Sequence, residues 1–155
     1  MLFRSAYMVV VPNVVSDTPA LRRNPIFLYY QDTFQKPAPF RPDVAVPVDD
    51  VWDIKINGLD AHVSQFYEWL PWLDGALNSV PQEPDARRTW LKKSLDPYFL
   101  EPARRGLPSL QRWYGKAAAK RVRYAELFEV CEYGRQPSHD EILEKIGRAS
   151  CRERV

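Results

Sequence analysis

The chain has 155 residues, enough for one domain, and its 45% hydrophobic and 13% aromatic content is that of a globular protein rather than a disordered or fibrous one. A formal charge of +2 gives no global argument for nucleic acid or an anionic membrane. No apolar run approaches the roughly 20 residues of a membrane span.

Both ends read differently from what lies between them. Residues 146–155, "IGRASCRERV", bring three arginines and a cysteine directly after a helical pattern, and one back-translation frame matches a common DNA-sequencing adapter. "MLFRS" at residues 1–5 resembles the opposite adapter. The expected division is therefore adapter-derived residues at 1–5 and 146–155, with evolved sequence at 6–145. Setting the ends aside leaves 18 basic against 19 acidic residues, so the balance becomes −1. Cys131 is then the single cysteine; it can form no internal disulfide, which fits a reducing, cytoplasmic setting.

In chain order, "AYMVVVPN" at 6–13 is an apolar run that periodicity assigns neither to a strand nor to a helix end. "PIFLYYQD" at 25–32 is rich in aromatic and branched residues and predicts a buried strand. "DVAVPVDD" at 43–50 alternates weakly, and Pro47, which offers no ladder donor, confines it to a sheet edge or strand end. Next comes the strongest pattern in the sequence. Trp52, Ile56, Leu59, Val63, Phe66 and Leu70 recur at helical spacing, predicting one amphipathic helix with Asp50 as its N-cap, Asp53 in its first turn and Pro71 ending or kinking it. Beyond residue 85, Pro97, Pro102, Gly106 and Pro108 suggest short interrupted helices. "RYAELFEVCEYG" fits either a closing strand or a helical turn. In "PSHDEILEKI", Ser138 and Glu141 stand three apart, the signature of a capping box. Strand, loop, strand, helix in this order favours an α/β layer arrangement.

Several of these pieces together resemble the C-terminal half of the PIG-L/LmbE family of zinc-dependent N-deacetylases. They are the "PD-x-x-V" segment at Pro42–Val46, the lysine and His-x-Ser-Gln on the following helix (Lys55, Gly58-Leu59, then His62, Ser64 and Gln65), and the "YAE-x-F" segment from Tyr124 to Phe128. The resemblance implies the C-terminal part of a Rossmann-like three-layer α/β fold, incomplete here. It also implies a parent hydrolase that removes N-acetyl groups from an amino sugar or related small amide. The family's histidine–proline–aspartate–aspartate motif and its second histidine motif are not in this sequence. Zn2+ is thus expected in the complete parent and not in this chain, which alone is expected to be inactive. The implied partner is a small N-acetylated amino sugar or glycoconjugate. No nucleic acid and no membrane span are expected, and a homo-oligomer is possible.

Lys55, Gly58, His62, Gln65 and Trp69 form a second helical stripe beside the apolar one, with glycine permitting close approach. His62 is the candidate pocket residue, suited to orienting substrate or donating to developing oxyanion charge. Gln65 and Lys55 are candidates for substrate contact. His139 reads as part of the capping segment, Glu126 as an ion-pair partner and Cys131 as a small core residue. Residues 102–123 carry Arg104, Arg105, Arg112, Lys116, Lys120, Arg121 and Arg123 with Trp113 and Tyr114 and no acidic residue, the alternative of a nucleic-acid-binding module. A further alternative is a non-catalytic interaction domain exposing Trp69, Trp72 and Trp90.

Overall fold

Branched and aromatic side chains at 26–30 form strand β1 (Ile26–Tyr30), and the alternating segment before Pro47 forms β2 (Val44–Pro47). In the computed structural model, which describes residues 8–12 and 17–144, both pair antiparallel with β3 (Ala125–Gly134), in the order β1-β3-β2. The adapter-derived segments expected at 1–5 and 146–155 lie outside the described residues. Of the first apolar run, residues 8–12 form a turn in which Val11 N–H donates to Met8 C=O at 3.2 Å.

The strand alternative for "RYAELFEVCEYG" is the one realised, and it occupies the centre of the sheet. Pro47 closes β2 on a sheet edge, where its missing N–H costs no ladder bond. β1 departs from the expected buried strand: Leu28 and Tyr30 are 37% and 49% exposed. Leu28 and Tyr30, two residues apart, share one face of the strand, and that face is left exposed, while Phe27 and Tyr29 on the opposite face are half-buried.

Helices α3 (Pro84–Arg105) and α4 (Leu107–Ala119) pack against the sheet. Their contact is built on small residues: Ala45, Ala103, Ala119 and Ala125 close around Leu110 and Leu127. Gly106 at the α3–α4 junction completes it, since a Cβ there would sit 2.3 Å from Leu127 Cδ2 and 3.0 Å from Pro102 O. Of the interruptions expected after residue 85, Gly106 does separate two helices, whereas Pro97 and Pro102 lie inside one 22-residue helix. The carbonyls deprived of a donor four residues back belong to Lys93 and Tyr98, both exposed, where water can satisfy them.

A second cluster joins Val48, Trp52, Ile56 and Tyr124 with Leu95, Phe99 and Leu100 of α3. It docks α1 (Trp52–Asp60), entered through a 3-10 turn at Asp49–Val51. Trp52 stacks on Tyr124 at 4.2 Å between centroids and meets Phe99 edge-on at 4.9 Å. Asp50 is not the helix cap expected: Val51 holds that position, with no side-chain cap bond. The neighbouring Asp49 uses its Oδ1 elsewhere, accepting from the backbone N–H groups of Arg123 and Tyr124 and so tying the entry turn to the start of β3.

The capping box is present at α5 (His139–Ile142), with Ser138 and Glu141 exchanging bonds. Arg135, foremost, and the Ser138 backbone N–H pull the Glu141 carboxyl from 4.5 to about 2. A depressed carboxylate pKa stabilises above the unfolded value and loses that contribution as pH falls through the folded one. Amide protection at Ser138 and Glu141 is therefore expected to fade from pH about 4.5 down to about 2. A Glu141 titration midpoint near 4.5, followed by NMR, would contradict this linkage.

Candidate functional site: a broken helix and a buried ion pair

The single helix expected from Trp52 to Leu70 is broken. α1 stops at Asp60, Ala61 and His62 interrupt it, and the chain resumes helically at Val63 and runs on as a π-helical segment, Ser64–Trp69, followed by α2 (Leu70–Leu73). The backbone of His62 bridges the break, donating to Leu59 C=O and accepting from the N–H groups of Gln65 and Phe66 at 3.1 Å each. The break shifts the phase of the apolar stripe. Tyr67, absent from that stripe, becomes the buried residue, while Val63 is left 41% exposed.

Two contacts hold this arrangement. Tyr67 Oη donates to Asp60 Oδ1 across the break, and the Arg87 guanidinium lies 4.5 Å above the Tyr67 ring. Burial, reinforced by the Asp60 bond, pushes the Tyr67 phenol up to about 12. Pro71 neither ends nor kinks a continuous helix. It falls in the first turn of α2, where its missing N–H is tolerated, and it is buried there.

The polar stripe is divided by the same break. His62 is exposed, Gln65 is half-buried, and Trp69 is 51% exposed. Gly58 is exposed and a Cβ there would meet nothing within 4 Å, so no close approach depends on this glycine. Lys55 has a partner inside the protein: its Nζ pairs with Glu126 Oε1 of β3 and lies 4.3 Å above the Phe99 ring. Both side chains of the pair are largely covered, at 22% and 25% exposed. The sequence singled out Lys55 for substrate and Glu126 for an ion pair; the structure joins the two.

Beside the break is an apolar cavity of about 460 Å³, walled by Leu59, Phe66 and Leu70 on one side and Leu91, Leu95 and Phe99 of α3 on the other. Neither His62 nor Gln65 nor Lys55 lines this cavity. Trp90 does: expected to be exposed together with Trp69 and Trp72, it is instead half-buried against this cavity.

The other singled-out residues have structural partners. His139 stacks on Trp113 at 4.7 Å, and Cys131 is fully buried. Trp113 Nε1 donates to Asp43 C=O, so its ring faces inward and is not displayed for base stacking. Arg105 bonds Asp32 C=O and covers Phe40, while Arg123 pairs with Asp96 at 3.5 Å. Among the described residues no group of three or more histidine, cysteine, aspartate or glutamate side chains is arranged to hold a metal ion. No helix of the described residues is long and apolar enough to cross a membrane.

Comparison of the chain with known protein families, with curated proteins and with solved structures finds no match.

Proposed function

We propose that residues 6–145 are the C-terminal part of a PIG-L/LmbE-like N-deacetylase domain, whose complete form has a Rossmann-like three-layer fold and acts in the cytoplasm on a small N-acetylated amino sugar or related amide. One observation carries the reading. Lys55 and Glu126, 71 positions apart and drawn from two of the sequence pieces that carry the resemblance, form a part-buried ion pair. The third piece joins them, because Val46 of the "PD-x-x-V" segment is the register partner of Glu126. Segments remote in sequence thus form one packed wall, with Tyr124 of "YAE" stacked on Trp52.

On this wall, Lys55 and Glu126 fix the helix against the strand, while His62 stands exposed at the break and Gln65 half-buried just after it. His62 would donate a hydrogen bond to the substrate amide as charge develops on its oxygen, and Gln65 would contact a sugar hydroxyl. The described residues do not fit the zinc ion that the reading implies: His139 is engaged with Trp113, and His62 has no second or third ligand. The ligands would come from the upstream part of the parent domain.

The test is a chimera in which residues 24–144 replace the corresponding segment of an active PIG-L/LmbE-like deacetylase. A folded, metal-loaded chimera that releases acetate from an N-acetyl amino sugar is the expected result; a folded, metal-loaded but inert one contradicts the proposal. The exposure of Trp69 and Trp72, 51% and 64%, favours a second reading as an interaction domain. A partner-dependent change in tryptophan fluorescence that persists in an inert chimera would select it.

A further inference from the structure

The basic segment at 102–123 does not present aromatic rings for stacking, yet the fold gathers four cations from it around one cavity. Arg104 comes from the last turn of α3, and Lys120, Arg121 and Arg123 come from the connection between α4 and β3. The cavity has a volume of about 560 Å³, and no acidic residue among the described residues lines it. Its other lining residues are all apolar, Leu100, Leu107 and Val122 being the large ones. Leu107 is 37% exposed at this site, although it is a large apolar side chain.

Helix ends alone account for only part of this. Arg104 and Lys120 fall where a helix C-terminus favours positive charge. Arg121 and Arg123 lie beyond the helix, and the macrodipole gives no reason for an apolar floor beneath them. Lys120 and Arg121 have no ion pair among the described residues. Arg104 and Arg123 have one each, to Glu101 at 3.2 Å and Asp96 at 3.5 Å, and both arginines are more than half exposed. Exposed pairs of this kind contribute little and exchange readily for a better acceptor.

We propose that this cavity binds a small amphipathic anion, a phosphate or carboxylate head held by Arg104, Lys120, Arg121 and Arg123 with an apolar body laid over Leu100, Leu107 and Val122. The site is separate from the broken helix: neither His62 nor Gln65 nor Lys55 lines it, and it stands whether or not the deacetylase reading holds. Guanidinium groups give charge-assisted, often bidentate bonds to either head, and the floor adds a chain-length dependence that a purely electrostatic surface lacks.

Calorimetry on the whole chain with octyl phosphate, hexyl phosphate, octanoate, inorganic phosphate and octanol tests both halves of the site. One molecule of octyl phosphate or octanoate is expected to bind per chain, about tenfold or more tighter than either inorganic phosphate or octanol. Shortening octyl to hexyl phosphate is expected to weaken binding about tenfold, since each buried methylene contributes about 0.8 kcal/mol. The double variant Lys120→Gln/Arg121→Gln, altered at two exposed positions, should lose about tenfold or more while melting as the parent does. Leu107→Glu, which places a carboxylate on the apolar surface where the ligand's body would lie, should reproduce that loss. Octyl phosphate binding no tighter than inorganic phosphate, or indifferent to both variants, would overturn the proposal. So would adsorption to anionic lipid vesicles that octyl phosphate does not displace, because the cations would then be a flat membrane-facing surface and not a cavity.

Discussion

Replacing Trp52 with alanine is expected to destabilise the protein by about 3–5 kcal/mol, the range for removing a large buried aromatic side chain. Trp52 is 4% exposed and links three elements: it sits on α1, stacks on Tyr124 before β3 and meets Phe99 of α3. Its loss would open the cluster that docks the broken helix on the sheet. Trp52 Nε1 is buried with no hydrogen-bond partner, so Trp52→Phe should cost much less, about 1–2 kcal/mol, keeping a ring against Tyr124 and removing an unpaired donor. Urea midpoints of the two variants decide the matter. Equal losses for alanine and phenylalanine would mean that the indole N–H has a partner and that ring stacking contributes little.

The second large effect belongs to the other cluster. Leu127, 1% exposed, should cost about 2–5 kcal/mol when truncated to alanine. Gly106→Ala should cost about 1–3 kcal/mol for the opposite reason, because its new methyl would collide with Leu127 Cδ2. The collision and the cavity occupy the same space. The double variant Gly106→Ala/Leu127→Ala should therefore lose less than the two single losses added together, by about 1 kcal/mol or more. Simple additivity in the same urea series would place the two residues out of contact.

What the sequence made legible follows from local chemistry. The edge position of Pro47 and the capping box at Ser138 each depend on one residue's own donors and acceptors, and both are as expected. Cys131 as core and Glu126 as an ion-pair partner were legible as residue types, though the partner of Glu126 was not. The break at residues 61–62 was hidden because the apolar spacing continues unchanged through it. The contacts that accompany it reach beyond the apolar stripe: Arg87 of α3 covers the Tyr67 ring, and Tyr67 reaches back to Asp60. The continuity of α3 was hidden for a related reason. Proline breaks a helix where freed carbonyls have no substitute, and exposure at Lys93 and Tyr98 supplies one. In "YAELFEVCEYG", alternating apolar and polar residues suit either period over so few turns, and only pairing with both neighbouring strands selects the extended form. The candidate site was legible as separate residues on one helix. Its division into a fixed Lys55 and an exposed His62 was not.

That division makes His62 the most direct test of the deacetylase reading. The residue is exposed and sits outside the apolar cavity, so it is not a packing histidine. The decisive measurement is His62→Ala in the active chimera, with deacetylation turnover, bound zinc and urea midpoint followed together. A fall in turnover of about a hundredfold or more is expected, the effect of losing one transition-state donor. Zinc content should be unchanged, and stability should move by no more than about 0.5 kcal/mol, as for ordinary surface substitutions. Unchanged turnover with a marked loss of stability would contradict it and return His62 to the role of a structural residue at the helix break.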